Sequence, residues 1–146
     1  MKEISKNKKA YFDYEILEEL EAGIVLTGAE IKSIRAGNVN LKGSYVGESA
    51  HGLSVKNMHI SEHPHMERED GPLRERQLLL HKKEIGKLHG KLKEKNLTVI
   101  PLKLYLKKGY AKLLLGLCKG RKKHDKRNVL KRKDEDMEIR RKLKHY

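Results

Sequence analysis

The sequence predicts a mainly β protein: a small, partly open antiparallel barrel with two to three packed helices and a basic C-terminal tail disordered when free. Three observations predict it. Two long runs, residues 98–106 and 111–117, alternate apolar and polar residues at period 2 around Lys107-Lys108-Gly109, a hairpin signal. Shorter strand-like runs punctuated by glycine fill the first sixty residues. Twelve Lys or Arg against five Asp or Glu crowd residues 120–146, a net +7 in a chain whose total is +14.

In order, residues 1–9 read as a short basic arm. From Ala10 the pattern turns strand-like, with Phe12, Tyr14 and Ile16 alternating with Tyr11, Asp13 and Glu15. Ile24-Val25-Leu26 reads as a buried strand ending at Gly28. Ile31 and Ile34 share a face of a short helix bracketed by Gly28 and Gly37, which leaves Glu30, Lys32, Ser33 and Arg35 pointing elsewhere. Two strands follow near residues 44–48 and 53–59, and the polar stretch 59–71 reads as a loop. Leu78, Ile85, Leu88 and Leu92 make one stripe of a second helix, although Gly86 and Gly90 each cost it about 1 kcal/mol relative to Ala. Thr98, Ile100, Leu102, Leu104 and Leu106 then line one face of a strand in which Pro101 marks an edge or a bulge. Ala111, Leu113, Leu115 and Leu117 repeat the pattern. Such an arrangement is that of an oligonucleotide-binding (OB-type) barrel over residues 10–119, with residues 120–146 as an appendage.

Charged residues make up 37% of the 146 and aromatics 5%, so the core rests on Leu, Ile and Val. The single Cys118 excludes an internal disulfide and a cysteine-based zinc site, and it reads as a packed, unreactive thiol. The first ten residues lack an apolar segment of signal-peptide type, and no run approaches the ~20 apolar residues of a membrane helix. The expectation is a cytoplasmic protein. His59, His63 and His65 beside Glu62 and Glu67 match no metal-ligand spacing. Without a phosphate-cradling glycine loop or a carboxylate pair, the sequence predicts no enzyme, no metal and no cofactor.

The tail's charge density repels itself until a polyanion neutralises it, and each phosphate met releases counterions. Its apolar residues Val129, Leu130, Met137, Ile139 and Leu143 are too sparse to bury it, so it is expected to become helical on binding. Arg74 and Arg76, close together before the second helix, are candidate phosphate contacts or plain surface charges.

Several collinear segments resemble the SsrA-binding protein (small protein B) family. They are Asn7-Lys8-Lys9-Ala10, Glu21-Ala22-Gly23-Ile24-Val25-Leu26-Thr27-Gly28, Glu30-Ile31-Lys32-Ser33-Ile34-Arg35-Ala36-Gly37, Ser44-Tyr45-Val46, Pro72-Leu73-Arg74 with Arg76, Pro101-Leu102-Lys103-Leu104-Tyr105, Lys119-Gly120 and His124-Asp125-Lys126-Arg127. The resemblance implies an adaptor that binds the tRNA-like domain of transfer-messenger RNA and delivers it to stalled ribosomes. There its tail would enter the empty mRNA channel. It implies RNA contacts by Asn7, Lys8, Lys9, Glu30, Lys32, Ser33, Arg35, Arg74, Arg76, Lys119, Arg121, Lys122 and Lys123, Glu30 serving as an acceptor for base or ribose donors. It further implies decoding-centre and channel contacts by His124, Asp125, Lys126, Arg127, Lys131, Arg132, Lys133 and Ile139. The alternative is a general single-strand or ribosomal RNA-binding OB protein. That reading sits less well with a chain holding one Phe, no Trp and six Tyr, since such binders rely on aromatic platforms. A metal-dependent RNA-processing enzyme built on the histidine loop is the third possibility.

Overall fold

The computed structural model describes residues 1–50, 52–61 and 71–121. The tail positions from Lys122 onward, with His63 and His65, lie outside the described residues.

The longest strands are those with the clearest alternation. β8 (Leu97–Lys107) and β9 (Tyr110–Gly120) form a hairpin whose two-residue turn holds Lys108 at φ 51° and Gly109 at φ 82°. Positive φ at both turn residues matches the right-handed twist of the flanking strands. Ala111, Leu113, Leu115 and Leu117 face the main core as expected. β8 departs from the expectation: its register slips between Pro101 and Lys103, so Leu102 has no opposite residue on β9. Proline cannot donate to the ladder, and the bulge it accompanies exchanges the faces. Val99 and Leu104 reach the main core, whereas Ile100 and Leu102 join Ala10 and Cys118 in a second cluster on the outer face.

β9 pairs on its other side with β2 (Tyr14–Ile24), one 11-residue strand where the sequence suggests two segments. A bulge between Ile16 and Glu18 leaves Leu17 exposed and turns Ile16 toward the outer cluster, while Leu20, Ala22 and Ile24 face the main core. β7 (Arg76–Leu79) joins β2 to β5 (Gly52–Lys56), which pairs with β4 (Tyr45–Ser49). With β1 (Lys2–Lys6) at the edge, the seven-stranded order is β1-β8-β9-β2-β7-β5-β4, and β4 returns against β8 to curl the sheet into an open barrel. β3 (Val39–Asn40) and β6 (His59–Ile60) form a separate ribbon, so His59 is a strand residue rather than the start of a loop.

Three expectations are corrected. Residues 2–6 are not an arm but an edge strand, β1 (Lys2–Lys6), paired to β8, with Ile4 packed on the core. Ala10 to Asp13 is not strand but part of helix α1 (Lys8–Asp13), because Asn7 caps it by accepting from the Ala10 N–H at 3.1 Å. Leu78 is not on the second helix. It lies in β7, and α3 (Lys82–Leu92) presents only Ile85, Leu88 and Leu92 to the core. Leucine fits both periodicities, and sheet pairing on two sides of β7 decides for strand. Helix α2 (Gly28–Arg35) matches its prediction, closed at its start by a Thr27–Glu30 capping box and at its end by Gly37 at φ 82°.

Candidate RNA-binding surface

Glu30 sits in the first turn of α2, held there by its own capping box: its Oε1 accepts from the Thr27 N–H at 2.9 Å. The same carboxylate faces two guanidinium groups. Arg74 Nη2 donates to Oε1 and Arg76 Nε to Oε2, each at 2.5 Å. Arg76 spends its remaining nitrogens on the carbonyls of Met58 (2.6 Å) and Pro72 (3.1 Å). It is 0% exposed, and Glu30 is 5% exposed. Burial disfavours the Glu30 carboxylate, but hydrogen bonds from Arg74, the Thr27 N–H and Arg76 outweigh that and hold its pKa below the usual range. Burial likewise pulls Arg76 down, against the support of Glu30. The cluster clamps α2, the turn after β5 and the segment before β7 into one unit. Ser33, at 2% exposed, faces inward on the same helix.

Four residues expected on the RNA surface are therefore inside the protein. Glu30, Ser33 and Arg76 are buried beside or within the clamp. Asn7, at 5% exposed, donates from Nδ2 to the carbonyls of Leu41 (3.2 Å) and Pro101 (3.1 Å). The sequence shows their charge and polarity but not that all four are buried, or that Asn7, Glu30 and Arg76 find partners in the interior. Arg74 is different: its side chain keeps 22% exposure at the mouth of the clamp. Lys8, Lys9, Lys32, Arg35 and Lys119 are exposed. Arg121 folds back on the body, its Nε donating to the Tyr14 carbonyl at 3.1 Å and its N–H to that of Asp13 at 3.0 Å.

Two surface concavities involve residues the sequence reading passed over. One, of about 500 Å³, is lined by Glu21, Gly23, Leu79, Leu80, His81, Glu84 and Lys112. Leu79 is 57% exposed on its wall, and the missing Cβ of Gly23 makes room for it: a Cβ there would lie 3.1 Å from Leu79 Cβ. An exposed leucine with Lys112, Glu21 and Glu84 around it offers an apolar platform rimmed by charges of both signs. Only the placement of Leu79 in a strand would reveal it. The second concavity lies against α1 and carries Lys9, Lys42 and Tyr45.

Elsewhere several lysines are paired with carboxylates. Lys103 meets Glu3 (3.8 Å), Lys107 meets Glu21 (3.5 Å), and Lys87 pairs with Glu18. Tyr105, whose hydroxyl donates to Glu21, is driven upward in pKa by burial and by that carboxylate. Among the described residues no group of three or more His, Cys, Asp or Glu is placed to hold a metal ion, and no helix is long and apolar enough to cross a membrane.

Comparison with known proteins gives a consistent answer. The family model described as SmpB protein matches residues 4–145. The SsrA-binding protein of Limosilactobacillus reuteri (strain DSM 20016) is 51% identical over 144 residues, covering 98% of this chain and 92% of the relative. That of Bacillus subtilis (strain 168) is 55% identical over 141 residues, covering 96% and 90%. A chain in a solved structure described as "tmRNA-SmpB: a journey to the center of the bacterial ribosome" superposes with a TM-score of 0.68 at 45% identity, over 82% of this chain and 85% of that one.

Proposed function

The chain belongs to the SmpB family of SsrA-binding proteins, and from that premise we propose that it is an RNA-binding adaptor of trans-translation rather than an enzyme. Its partners are transfer-messenger RNA and the ribosome, and it works in the cytoplasm. The observation that carries the reading is collinearity: the family match runs through barrel and tail alike, from residue 4 to 145.

The body binds the tRNA-like domain and the tail engages the ribosome. Lys8, Lys9, Lys32, Arg35, Arg74 and Lys119, all with solvent-reaching side chains, meet phosphates or base edges. Glu30 acts through Arg74, holding its guanidinium at the mouth of the clamp together with the Val25 and Glu75 carbonyls, while Arg76 pins Glu30 in turn. Asn7 does the same for α1 and hence for Lys8 and Lys9. The concavity walled by Leu79 adds an apolar platform for a base, with Lys112 at hand. Lys122 and Lys123 extend the RNA-binding set, while His124, Asp125, Lys126, Arg127, Lys131, Arg132, Lys133 and Ile139 belong to the tail's part of the work, in the empty mRNA channel and beside the decoding centre. The barrel is thereby a rigid docking body and the tail a polycation that gains structure from its partner.

Competition binding tests the first half. The protein is expected to prefer transfer-messenger RNA over bulk tRNA, and to keep that preference when salt is raised, because shape recognition outlasts counterion release. Truncation after Arg121 tests the second. It leaves the Arg121 hydrogen bonds intact and should spare RNA binding while abolishing peptide tagging on ribosomes stalled without a stop codon. Equal loss of RNA affinity from tail truncation and from Arg74→Ala would refute this division of labour.

A further inference from the structure

A cleft of about 570 Å³ lies between α1, the turn before β4 and the start of β8. Its rim carries Lys9 and Lys42, both exposed, and its walls include Tyr14 and Tyr45, the latter 41% exposed. Ile100, buried, contributes to the floor, and Asp13 is the one carboxylate on the lining. The volume falls in the range of small-ligand sites, ~300–1,000 Å³. Tyr14 and Thr98 also line a neighbouring hollow of about 440 Å³ that runs on to Lys119 and Gly120, where the chain leaves the barrel. Tyr14 and Thr98 thus form a wall common to the two hollows.

The walls are fixed in advance. Asn7 Nδ2 ties the Leu41 carbonyl to that of Pro101, which locks the turn carrying Lys42 against β8. Ser44 adds two more donors to the Leu41 carbonyl, from Oγ at 2.6 Å and from its N–H at 3.0 Å. The turn itself depends on Gly43 at φ 79°. Buried asparagine and serine used to hold a surface turn indicate a cleft whose shape is maintained rather than incidental.

We propose that this cleft receives a single unpaired nucleotide of an RNA partner, its base against the exposed ring of Tyr45 and its phosphate between Lys9 and Lys42. The proposal deepens the RNA-adaptor reading and rests on it. An aromatic wall takes any base by its π-face, and two flanking lysines take the phosphate that must accompany it. A free anion would need the lysines but not the rings, and an apolar ligand the rings but not the lysines. Two RNA sources present unpaired nucleotides to this protein, transfer-messenger RNA and ribosomal RNA, and the chemistry is the same for both.

The test measures binding of the full chain to transfer-messenger RNA and, separately, to vacant small ribosomal subunits, for wild type, Tyr45→Leu, Tyr45→Phe and Lys42→Ala. Tyr45→Leu is expected to weaken one of the two complexes by about five- to 150-fold, the span of one lost base stack, with Tyr45→Phe close to wild type. Lys42→Ala should weaken that same complex and lower its salt slope by about one. Loss confined to one arm identifies the source of the nucleotide. Wild-type affinity retained by Tyr45→Leu in both arms overturns the cleft's role while leaving the adaptor reading standing. Failure of the wild type to bind either RNA removes both. Tyr45 is partly exposed, so its replacement does not unpack the core, and a matching thermal melt separates lost contact from lost fold.

Discussion

Replacing Glu30 by Gln decides between a carboxylate that touches RNA and one that holds the protein together. Glu30 and Arg76 are 5% and 0% exposed, and the carboxylate takes donors from Arg76, Arg74 and the Thr27 N–H. An amide keeps the size but loses the charge, and its NH₂ must face one of the guanidinium groups. Arg74 can turn toward water; Arg76 cannot. Leaving a buried charge without its partner costs about 3–5 kcal/mol. For a chain of this length that corresponds to roughly 6–20 °C in melting temperature. The loss should be read by urea unfolding at neutral pH, with RNA affinity measured below the melting transition, where only a several-fold drop is expected. Glu30→Met combined with Arg76→Met should recover part of the stability, since it leaves no orphaned buried charge but removes the Arg76 donors to the Met58 and Pro72 carbonyls. The folded carboxyl has a lowered pKa, so the unfolded chain binds the extra proton as pH falls. Glu30's contribution is present above its unfolded pKa, about 4.3, and is lost as pH drops through the folded value. The wild type should therefore show a steeper acid loss than Glu30→Gln. A variant within about 0.5 kcal/mol of wild type whose RNA affinity falls by more than tenfold would refute the clamp, because an effect that small excludes an orphaned buried arginine.

Asn7→Ala removes the cap of α1 and the side-chain donor to the Pro101 carbonyl, so urea unfolding should report a loss of about 1–3 kcal/mol. Gly116→Ala would place a Cβ 2.6 Å from Leu102 Cδ1, and Leu102 is 0% exposed with nowhere to retreat; a cost of about 1–3 kcal/mol is expected in the same assay. Burial pushes the Cys118 thiol up to about 11, and the residue is 0% exposed. Thiol reagents at pH 8 should leave the native protein unmodified and label it stoichiometrically in denaturant, whereas fast native labelling would contradict its packing.

Where a segment's pattern admits one periodicity, the sequence was sufficient. Leu113, Leu115 and Leu117 can share a face only as a strand, Lys108-Gly109 between two such runs is a hairpin turn, and Ile31 and Ile34 between glycines make a helix. Where a residue type fits two structures, it was not. Leu78 satisfied the helical stripe equally well, and the slip beside Pro101 reversed which of Ile100, Leu102 and Leu104 share a core. The candidate surface divides in the same way. Lys8, Lys9, Lys32, Arg35 and Lys119 stay at the surface, as long exposed cations do. Asn7, Glu30, Ser33 and Arg76 were drawn inside, and Lys42, Tyr45, Leu79 and Lys112 became parts of concave sites. Composition, net charge and the +7 of the tail are properties of the chain and are present before it folds. Whether a given carboxylate or guanidinium faces water or a buried partner depends on residues more than forty positions away, as Glu30 does on Arg74 and Arg76. Desolvation is a property of that assembled environment, so only the tertiary structure could separate the groups left at the surface from those that hold the interior in place.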